Sequence, residues 1–359
     1  MVGKDDAGEA VSSNGASLTD WGVDISYYGV PCACRCRHCC LGGGPWAPAS
    51  LRYERAKRIA NRFLQWAGTG AGVGFRVEFG VGFSYNLETP QLLDYVGFRR
   101  AHDMAGWDYL PLNGLRLKGR DELCQLLTAL ADAGIRLVNL SFYGLGKTHD
   151  EWARRRGDFA YLMRMAEVAA ECGLSRSETI FPRKSVLAQL PRLVEMLDPV
   201  PGLEQRILDP WDFRGRGKEL EEERPELSDL DMLPALLRSL VNFTRYRTEA
   251  AWIEAILAGQ APPRTRRIYD VCVGDDNVDY LEREECAAIL SDIRDRDDLH
   301  RKGEPSLPEL ANRFGDRSNL RLYAMRDLEW KWLGQYYGER GMDALPDWFH
   351  PLRSKVILG

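Results

Sequence analysis

Residues 31–40 read Pro31-Cys-Ala-Cys-Arg-Cys-Arg-His-Cys-Cys40, a stretch that holds five of the nine cysteines of this 359-residue chain. An odd cysteine count is unfavourable for a disulfide framework, and thiols clustered in one segment more often bind metal or carry out chemistry. Three of the five, Cys32, Cys36 and Cys39, follow the spacing C-x3-C-x2-C. The stretch therefore predicts a metal or cluster site on one short loop.

Three thiolates on one loop can hold three irons of a cubane iron–sulfur cluster, whereas an electron carrier normally uses four cysteines. A missing fourth protein ligand leaves one iron open to a substrate, as the open position does in catalytic zinc sites. Two alternatives remain: a zinc knuckle that uses Cys34 and His38 beside two motif cysteines, and another iron–sulfur role that needs a fourth cysteine. No second pair of cysteines or histidines follows at zinc-ligand spacing. We interpret Cys34 and Cys40 as non-ligands.

The C-x3-C-x2-C motif resembles that of the radical S-adenosylmethionine (radical SAM) superfamily. The resemblance implies that Cys32, Cys36 and Cys39 hold a [4Fe–4S] cluster, and that SAM binds its open iron through the amino and carboxylate groups. It also implies cleavage of SAM to a 5′-deoxyadenosyl radical, which abstracts hydrogen from a substrate. In that family an aromatic residue usually precedes the last cysteine and packs near the adenine. His38 supplies a planar ring at this place.

Short apolar strands alternate with helical stripes through the first 220 residues. The stripe over residues 123–130, for example, places leucines three and four residues apart, which is typical of one face of a helix. Such alternation predicts a parallel sheet with right-handed crossovers. The predicted strands are residues 23–28, 75–79, 109–112, 137–142, 178–181 and 205–208. This count resembles the six β/α units of the radical SAM core, so the predicted fold class is α/β, a partial (β/α)6 barrel.

Three regions follow from this pattern. Residues 1–20, acidic and rich in small side chains, are predicted to be a disordered leader. Residues 21–220 form the predicted radical SAM partial barrel, in which the cysteine loop follows the first strand and so lies at the rim of strand C-terminal ends. Residues 221–359 are predicted to be a mainly helical extension that covers the substrate and holds no auxiliary cluster, because its two cysteines are too few for one.

The resemblance also implies cofactor contacts at the ends of the later strands. Gly80 and Gly82 stand where the family has a glycine-rich edge for the methionine end of SAM, although the usual Glu-Pro pair is absent. Asn113 matches a turn after the third strand. Ser141 ends the fourth strand at the place of a ribose contact, and Arg183 follows the fifth at the place of a cation for the SAM carboxylate. All five are candidate cofactor-binding residues.

The two cysteines of the extension are candidate catalytic residues. Some family members, the epimerases among them, use a cysteine that donates a hydrogen atom to the substrate radical. Cys272 and Cys286 could serve in this way, and the alternative for each is a buried structural thiol.

Composition narrows the function classes. The formal net charge is −5, so no global basic field is present to hold nucleic acid or an anionic membrane. No window approaches the roughly 18 uncharged apolar residues of a spanning helix. With these classes set aside, the resemblance implies a cytoplasmic enzyme that epimerises, dehydrates or rearranges a small natural-product or sugar-like substrate and receives electrons from an external reductant such as flavodoxin or ferredoxin. The alternatives are modification of a ribosomally made peptide and a non-catalytic metal-binding protein.

Overall fold

The computed structural model describes residues 22–27, 32–39, 53–69, 75–81, 89–213, 215–261, 268–274, 277–301 and 303–341. The strands within them are β1 (Gly22–Tyr27), β2 (Arg76–Val81), β3 (Tyr109–Pro111), β4 (Leu137–Phe142), β5 (Ser175–Ile180), β6 (Leu203–Leu208), β7 (Tyr246–Thr248), β8 (Ile268–Val273) and β9 (Leu322–Ala324). The helices are α1 (Tyr53–Ala67), α2 (Thr89–Ala101), α3 (Arg120–Asp132), α4 (Gly146–Ala153), α5 (Asp158–Glu171), α6 (Leu190–Leu197), α7 (Leu227–Asp231), α8 (Ala235–Arg238), α9 (Glu249–Leu257), α10 (Val278–Arg283), α11 (Cys286–Arg301), α12 (Leu307–Phe314) and α13 (Met325–Gly338). Short 3-10 helices cover Lys184–Gln189 and Gly215–Glu223.

All six strands predicted from the sequence are present, and they run parallel to their neighbours. One sheet has the order β3-β4-β5-β6 and a second the order β2-β1-β8, while β7 and β9 form a separate antiparallel pair. Among the described residues no pairing joins β2 to β3, so the described strands form an open arrangement. The predicted α/β fold with a parallel sheet and covering helices is confirmed.

Alternating burial explains how the first strands and helix pack together. Val23 and Ile25 of β1 are fully buried, and Phe79 of β2 is nearly so. Helix α1 places Ile59 and Phe63, both fully buried, in the same core. Each such side chain contributes about 1.5–3 kcal/mol to folding when it leaves water. These side chains pack β1, the strand that precedes the cysteine loop, into the core between β2 and β8.

Strand β8 belongs to residues 221–359, the predicted helical extension, but it lies in the sheet of order β2-β1-β8. It pairs with β1 in parallel register, from Gly22 opposite Ile268 to Tyr27 opposite Val273. The main apolar core accordingly includes side chains from β1 through β9, and Val271 of β8 is fully buried in it. The extension is otherwise mainly helical, as expected, and the domain boundary near residue 220 stays a prediction.

Shortening Val271 to alanine is expected to destabilise the metal-free protein by about 2 kcal/mol, because it removes two buried methyl groups and leaves a cavity. Urea unfolding followed by circular dichroism measures this difference. Leu320→Ala is the matched control, because Leu320 is 52% exposed and its loss should change stability by less than about 0.5 kcal/mol. Equal effects of the two substitutions would show that β8 adds nothing to the core.

A second apolar cluster joins α9, α12 and α13 around the fully buried Trp332. Glu249 is also fully buried, and it accepts hydrogen bonds from Trp332 Nε1 at 2.7 Å and Asn319 Nδ2 at 2.6 Å. The Asp327 carboxylate accepts from the backbone N–H of Phe213 at 2.8 Å. The bond between Asp327 and Phe213 joins the segment after β6 to this cluster. No described helix combines the length and apolar character needed to cross a membrane.

Candidate functional site

The cysteine loop lies at the C-terminal ends of β1, β3 and β4. Its backbone N–H groups reach two neighbouring segments: Ala33 donates to the carbonyl of Gly114 at 2.9 Å, and Arg37 donates to that of Trp152 at 2.9 Å. Arg35 likewise donates to the carbonyl of Ala153 at 3.0 Å. The last carbonyls of α4 have no partner inside their own helix, so the loop satisfies them. The predicted position at the strand rim agrees with this arrangement.

Gly114 lets Cys32 approach the turn after β3. Its φ is +88°, a left-handed conformation that favours glycine. A Cβ at this position would stand 2.3 Å from the Cys32 sulfur, which is far inside van der Waals contact. The glycine therefore serves both the turn and the place of the first motif cysteine.

The three motif cysteines are each partly exposed, whereas Cys34 between them is buried. The Cys36 thiol donates to the hydroxyl oxygen of Tyr143 at 3.7 Å, and the backbone N–H of Cys39 donates to the Cys36 carbonyl at 3.2 Å. A hydrogen bond with Cys34, together with burial, raises the pKa of the Cys32 thiol. The Cys32 thiol therefore keeps its proton at neutral pH, and it must lose that proton to bind a metal.

The three motif cysteines fit an iron–sulfur cluster both by ligand type and by their position in the fold. It offers three partly exposed thiols on one loop, and the carboxyl-terminal rim of a parallel sheet is where such folds bind their ligands. Among the described residues, however, no three histidine, cysteine or acidic side chains converge closely enough to hold a metal ion. Cluster binding would therefore draw the thiols away from their present protein partners, such as Tyr143.

His38 lies in a pocket of aromatic rings. Its ring centroid is 4.9 Å from that of Tyr143, 4.7 Å from that of Phe181 and 5.9 Å from that of the nearly parallel Trp152. Trp152 Nε1 donates to His38 Nδ1 at 2.6 Å. Burial, with the nearby Arg183 guanidinium, lowers the pKa of His38 to about 3. The imidazole is therefore neutral, and its packing near the adenine of SAM stays a prediction.

Arg183 lies against the same pocket. Its guanidinium carbon is 3.8 Å from the centroid of the Trp152 ring, and its Nη2 donates to the carbonyl of Tyr143 at 2.9 Å. Arg183 is only 5% exposed, and its Nε has no hydrogen-bond partner among the described residues. Burial lowers its pKa to about 10, so it keeps its charge at neutral pH. A buried cation with an unused donor is suited to an anionic group.

Asn113 and Ser141 meet at the ends of β3 and β4. The Asn113 side chain donates to the Ser141 carbonyl at 3.0 Å and accepts from the Ser141 backbone N–H at 2.6 Å. Both functions of the amide are thus used to join the two strand ends. The predicted cofactor contacts of these residues stay predictions, and the structure adds a structural role for Asn113.

The glycine-rich edge is described only in part. Gly80 pairs with Ser26 in the register of β1 and β2, and a Cβ there would lie 3.1 Å from the Asp24 carboxylate. Gly82 lies outside the described residues, as does Cys40. The close approach of Asp24 explains a glycine at this position by packing alone. The contact of Gly80 with the cofactor stays a prediction.

The two candidate hydrogen donors lie in different places. Cys272 stands opposite Ser26 in the pairing of β8 with β1, near the C-terminal rim, and its side chain is outside the described residues. Cys286 begins α11, is 5% exposed, and lies in the apolar core, where burial raises its pKa. The structure thus brings the backbone of Cys272 near the cysteine-loop strand and packs Cys286 as a core side chain. Both roles stay predictions.

Sequence reasoning missed the residues that surround the loop. Tyr143 and Phe181 each directly follow a parallel strand, and this position could have marked them as rim residues. From α4, Trp152 contacts His38 of the loop. From α5, Asp158 contacts Cys34 of the loop, and His149 of α4 contacts Asp158 in turn. No local pattern distinguishes these three from ordinary helix residues.

No protein-family model and no curated protein matches the chain. Solved structures do match, among them SuiB from Streptococcus suis bound to precursor peptide SuiA, at 13% identity and a TM-score of 0.41 over 71% of this chain and 49% of that chain. Coproporphyrinogen III oxidase (HemN) from Escherichia coli, a radical SAM enzyme, matches at 14% identity and a TM-score of 0.41 over 71% and 64%. A third, anSMEcpe with bound AdoMet, matches at 14% identity and a TM-score of 0.41 over 71% and 72%. The match spans about half the length of SuiB. The chain is thus similar to radical SAM enzymes of known structure, the superfamily that its cysteine spacing resembles.

Proposed function

We propose that this chain is a radical SAM enzyme that cleaves SAM and abstracts hydrogen from a small natural-product or sugar-like substrate. The observation that carries the proposal is the cysteine loop: three partly exposed thiols in C-x3-C-x2-C spacing, beside Gly114 and α4 at the rim of a parallel sheet. The substrate and the reaction that follows hydrogen abstraction belong to the proposal, as does the presence of one [4Fe–4S] cluster.

Each residue of the site has a role in this proposal. Cys32, Cys36 and Cys39 would hold the cluster, which with bound SAM supplies the 5′-deoxyadenosyl radical. The neutral ring of His38 would pack beside the adenine. Arg183 would offer its unpaired Nε–H to the SAM carboxylate, a charge-assisted hydrogen bond inside a buried pocket. The packed rim would exclude water from the reacting groups.

Anaerobic reconstitution with iron and sulfide tests the proposal directly. We expect about four irons and four sulfides per chain, a brown colour, and 5′-deoxyadenosine when dithionite and SAM are added. A colourless protein that binds zinc and leaves SAM intact would instead establish the metal-binding alternative. Deuterium transfer from labelled candidate substrates into 5′-deoxyadenosine then separates a small-molecule substrate from a ribosomally made peptide.

Replacing Arg183 by methionine is expected to weaken SAM binding about tenfold, because one charge-assisted hydrogen bond to a carboxylate is lost. Equilibrium dialysis of labelled SAM with the reconstituted protein measures the dissociation constant. Lys184→Met is the matched control, since the Lys184 ammonium pairs with Glu226 at 2.6 Å and faces a different partner. Unchanged SAM affinity in the Arg183 variant would remove this residue from the proposed site.

A further inference from the structure

Beneath the cysteine loop lies a buried polar cluster made of Cys34, His149, Arg155 and Asp158. Asp158, the first residue of α5, and His149 of α4 are both completely buried. One Asp158 oxygen, Oδ2, lies 3.1 Å from His149 Nε2 and 3.5 Å from the Cys34 sulfur. The other, Oδ1, accepts a hydrogen bond from Arg155 Nε at 3.0 Å. The carboxylate therefore links the loop to two helices of the barrel.

The hydrogen bonds within this cluster determine which ring nitrogen of His149 carries the proton and keep Asp158 ionised. The backbone N–H of Tyr143 donates to His149 Nδ1 at 3.0 Å, so the ring proton is on Nε2 and points to Asp158. Burial alone would raise the pKa of Asp158, but the hydrogen bond from His149 and the charge of Arg155 outweigh it and lower that pKa. Asp158 is therefore ionised and accepts hydrogen bonds. Removal of one partner of a buried carboxylate destabilises the folded protein, because it leaves the buried charge uncompensated.

The position of Cys34 differs from that of the other described loop cysteines. It is 7% exposed, whereas Cys32, Cys36 and Cys39 are all partly exposed. The backbone after it contacts α4, through the N–H of Arg35 on the carbonyl of Ala153, and the backbone before it contacts the turn after β3, through the N–H of Ala33 on the carbonyl of Gly114. The side chain of Cys34 thus faces the barrel interior while the three motif thiols remain accessible at the rim.

We propose that Cys34 is an anchor rather than a ligand: its thiol donates to Asp158, and His149 and Arg155 hold that carboxylate in place. This proposal rests on the proposed function only in so far as it assigns the ligands to the other three cysteines. Cys34 and Asp158 are then positioning residues, which set where the loop presents its motif thiols. The sequence alone leaves Cys34 as an alternative zinc ligand, and its burial and its contact with Asp158 favour the anchor role instead.

The first test uses the metal-free, folded protein and needs no cluster. Iodoacetamide is added, and the alkylation rate of each cysteine is followed by peptide mass spectrometry. We expect Cys34 to react at least about tenfold more slowly than the partly exposed Cys36, because a buried thiol is shielded from the reagent. In Asp158→Asn its rate should rise toward that of Cys36. The exposed Cys124 is the internal reference, and its rate should be the same in both proteins.

The second test uses reconstituted protein. Cys34→Ser keeps a hydroxyl donor for Asp158 and should retain most of the iron of the unaltered protein, whereas Cys34→Ala should retain less. The paramagnetic resonance spectrum of the reduced cluster should shift in Asp158→Asn, because altered ligand orientation changes the electronic structure of the cluster. The spectrum should keep its normal form in Cys34→Ser, in which the hydroxyl still donates to Asp158. Cys124→Ala should alter neither iron content nor spectrum.

Two results would overturn the anchor role: alkylation of Cys34 as fast as that of Cys36, or loss of all iron in Cys34→Ser. The second would make Cys34 a ligand and leave the proposed radical SAM function intact. If the unaltered protein takes up no iron, the proposed function fails, and the alkylation rates alone still decide whether Asp158 anchors Cys34.

Discussion

Cys36→Ala is expected to abolish both cluster binding and SAM cleavage. Three cysteines are the fewest that hold such a cluster with one iron left open, so two cannot retain it. We expect iron to fall from about four per chain to near background after reconstitution and desalting. Formation of 5′-deoxyadenosine, measured by chromatography with dithionite and SAM present, should fall to the level seen without enzyme.

Cys124→Ala is the matched control for this experiment, because Cys124 is exposed on α3 and outside the motif. It should keep full iron content and full SAM cleavage. Circular dichroism and urea unfolding of both variants show whether the fold is retained, since Cys36 contributes only a weak thiol contact to Tyr143. Survival of SAM cleavage in folded Cys36→Ala would refute the proposed function.

Gly114→Ala is expected to destabilise the protein by about 2–4 kcal/mol and to reduce iron uptake. Two physical causes add at this position. The backbone has φ +88°, where an L side chain is strained by about 1–3 kcal/mol. The new methyl group would also stand 2.3 Å from the Cys32 sulfur, so the loop must move before the first motif cysteine can bind.

Gly106→Ala separates the two causes. Gly106 also has a left-handed backbone, with φ +61°, but a Cβ there would have no atom within 4 Å. We expect this variant to lose about 1–2 kcal/mol through strain alone and to take up iron normally. Urea unfolding of the metal-free proteins and iron analysis after reconstitution provide the two measurements. Equal iron uptake in the two variants would mean that Gly114 does not position Cys32.

Local patterns were sufficient to predict the β/α framework and the place of the loop. Leu137–Phe142, for example, is a short and mostly apolar run with Asn139 and Ser141 within it, and the alternation of such strands with helices implies parallel pairing. The spacing of Cys32, Cys36 and Cys39 indicated the chemistry because the ligand geometry of a cluster is itself local. The position of the loop followed from these two observations together.

The contacts that hold the cysteine loop in place could not be predicted, because they join distant parts of the chain. Cys34 and Asp158 are 124 residues apart, and Trp152 and His38 are 114 apart. Nothing in the composition of α4 or α5 marks these residues, since their roles arise only when the strands pack. Strand β8 was also missed, although residues 268–273 read Ile-Tyr-Asp-Val-Cys-Val and are rich in the β-branched and aromatic residues typical of strands. Its pairing with β1 joins distant parts of the chain, and no local pattern shows it.

The pairing of β1 with β8 constrains the order in which the protein can be completed during its synthesis. Residues 22–27 are synthesised long before residues 268–273, with which they pair. Contacts between such distant segments close slowly, because the entropy of a long loop must be overcome first. Until then one edge of β1 lacks its parallel neighbour, and the cysteine loop extends from an incomplete sheet. We therefore expect cluster assembly to follow translation, so that nascent chains lacking β8 do not retain iron.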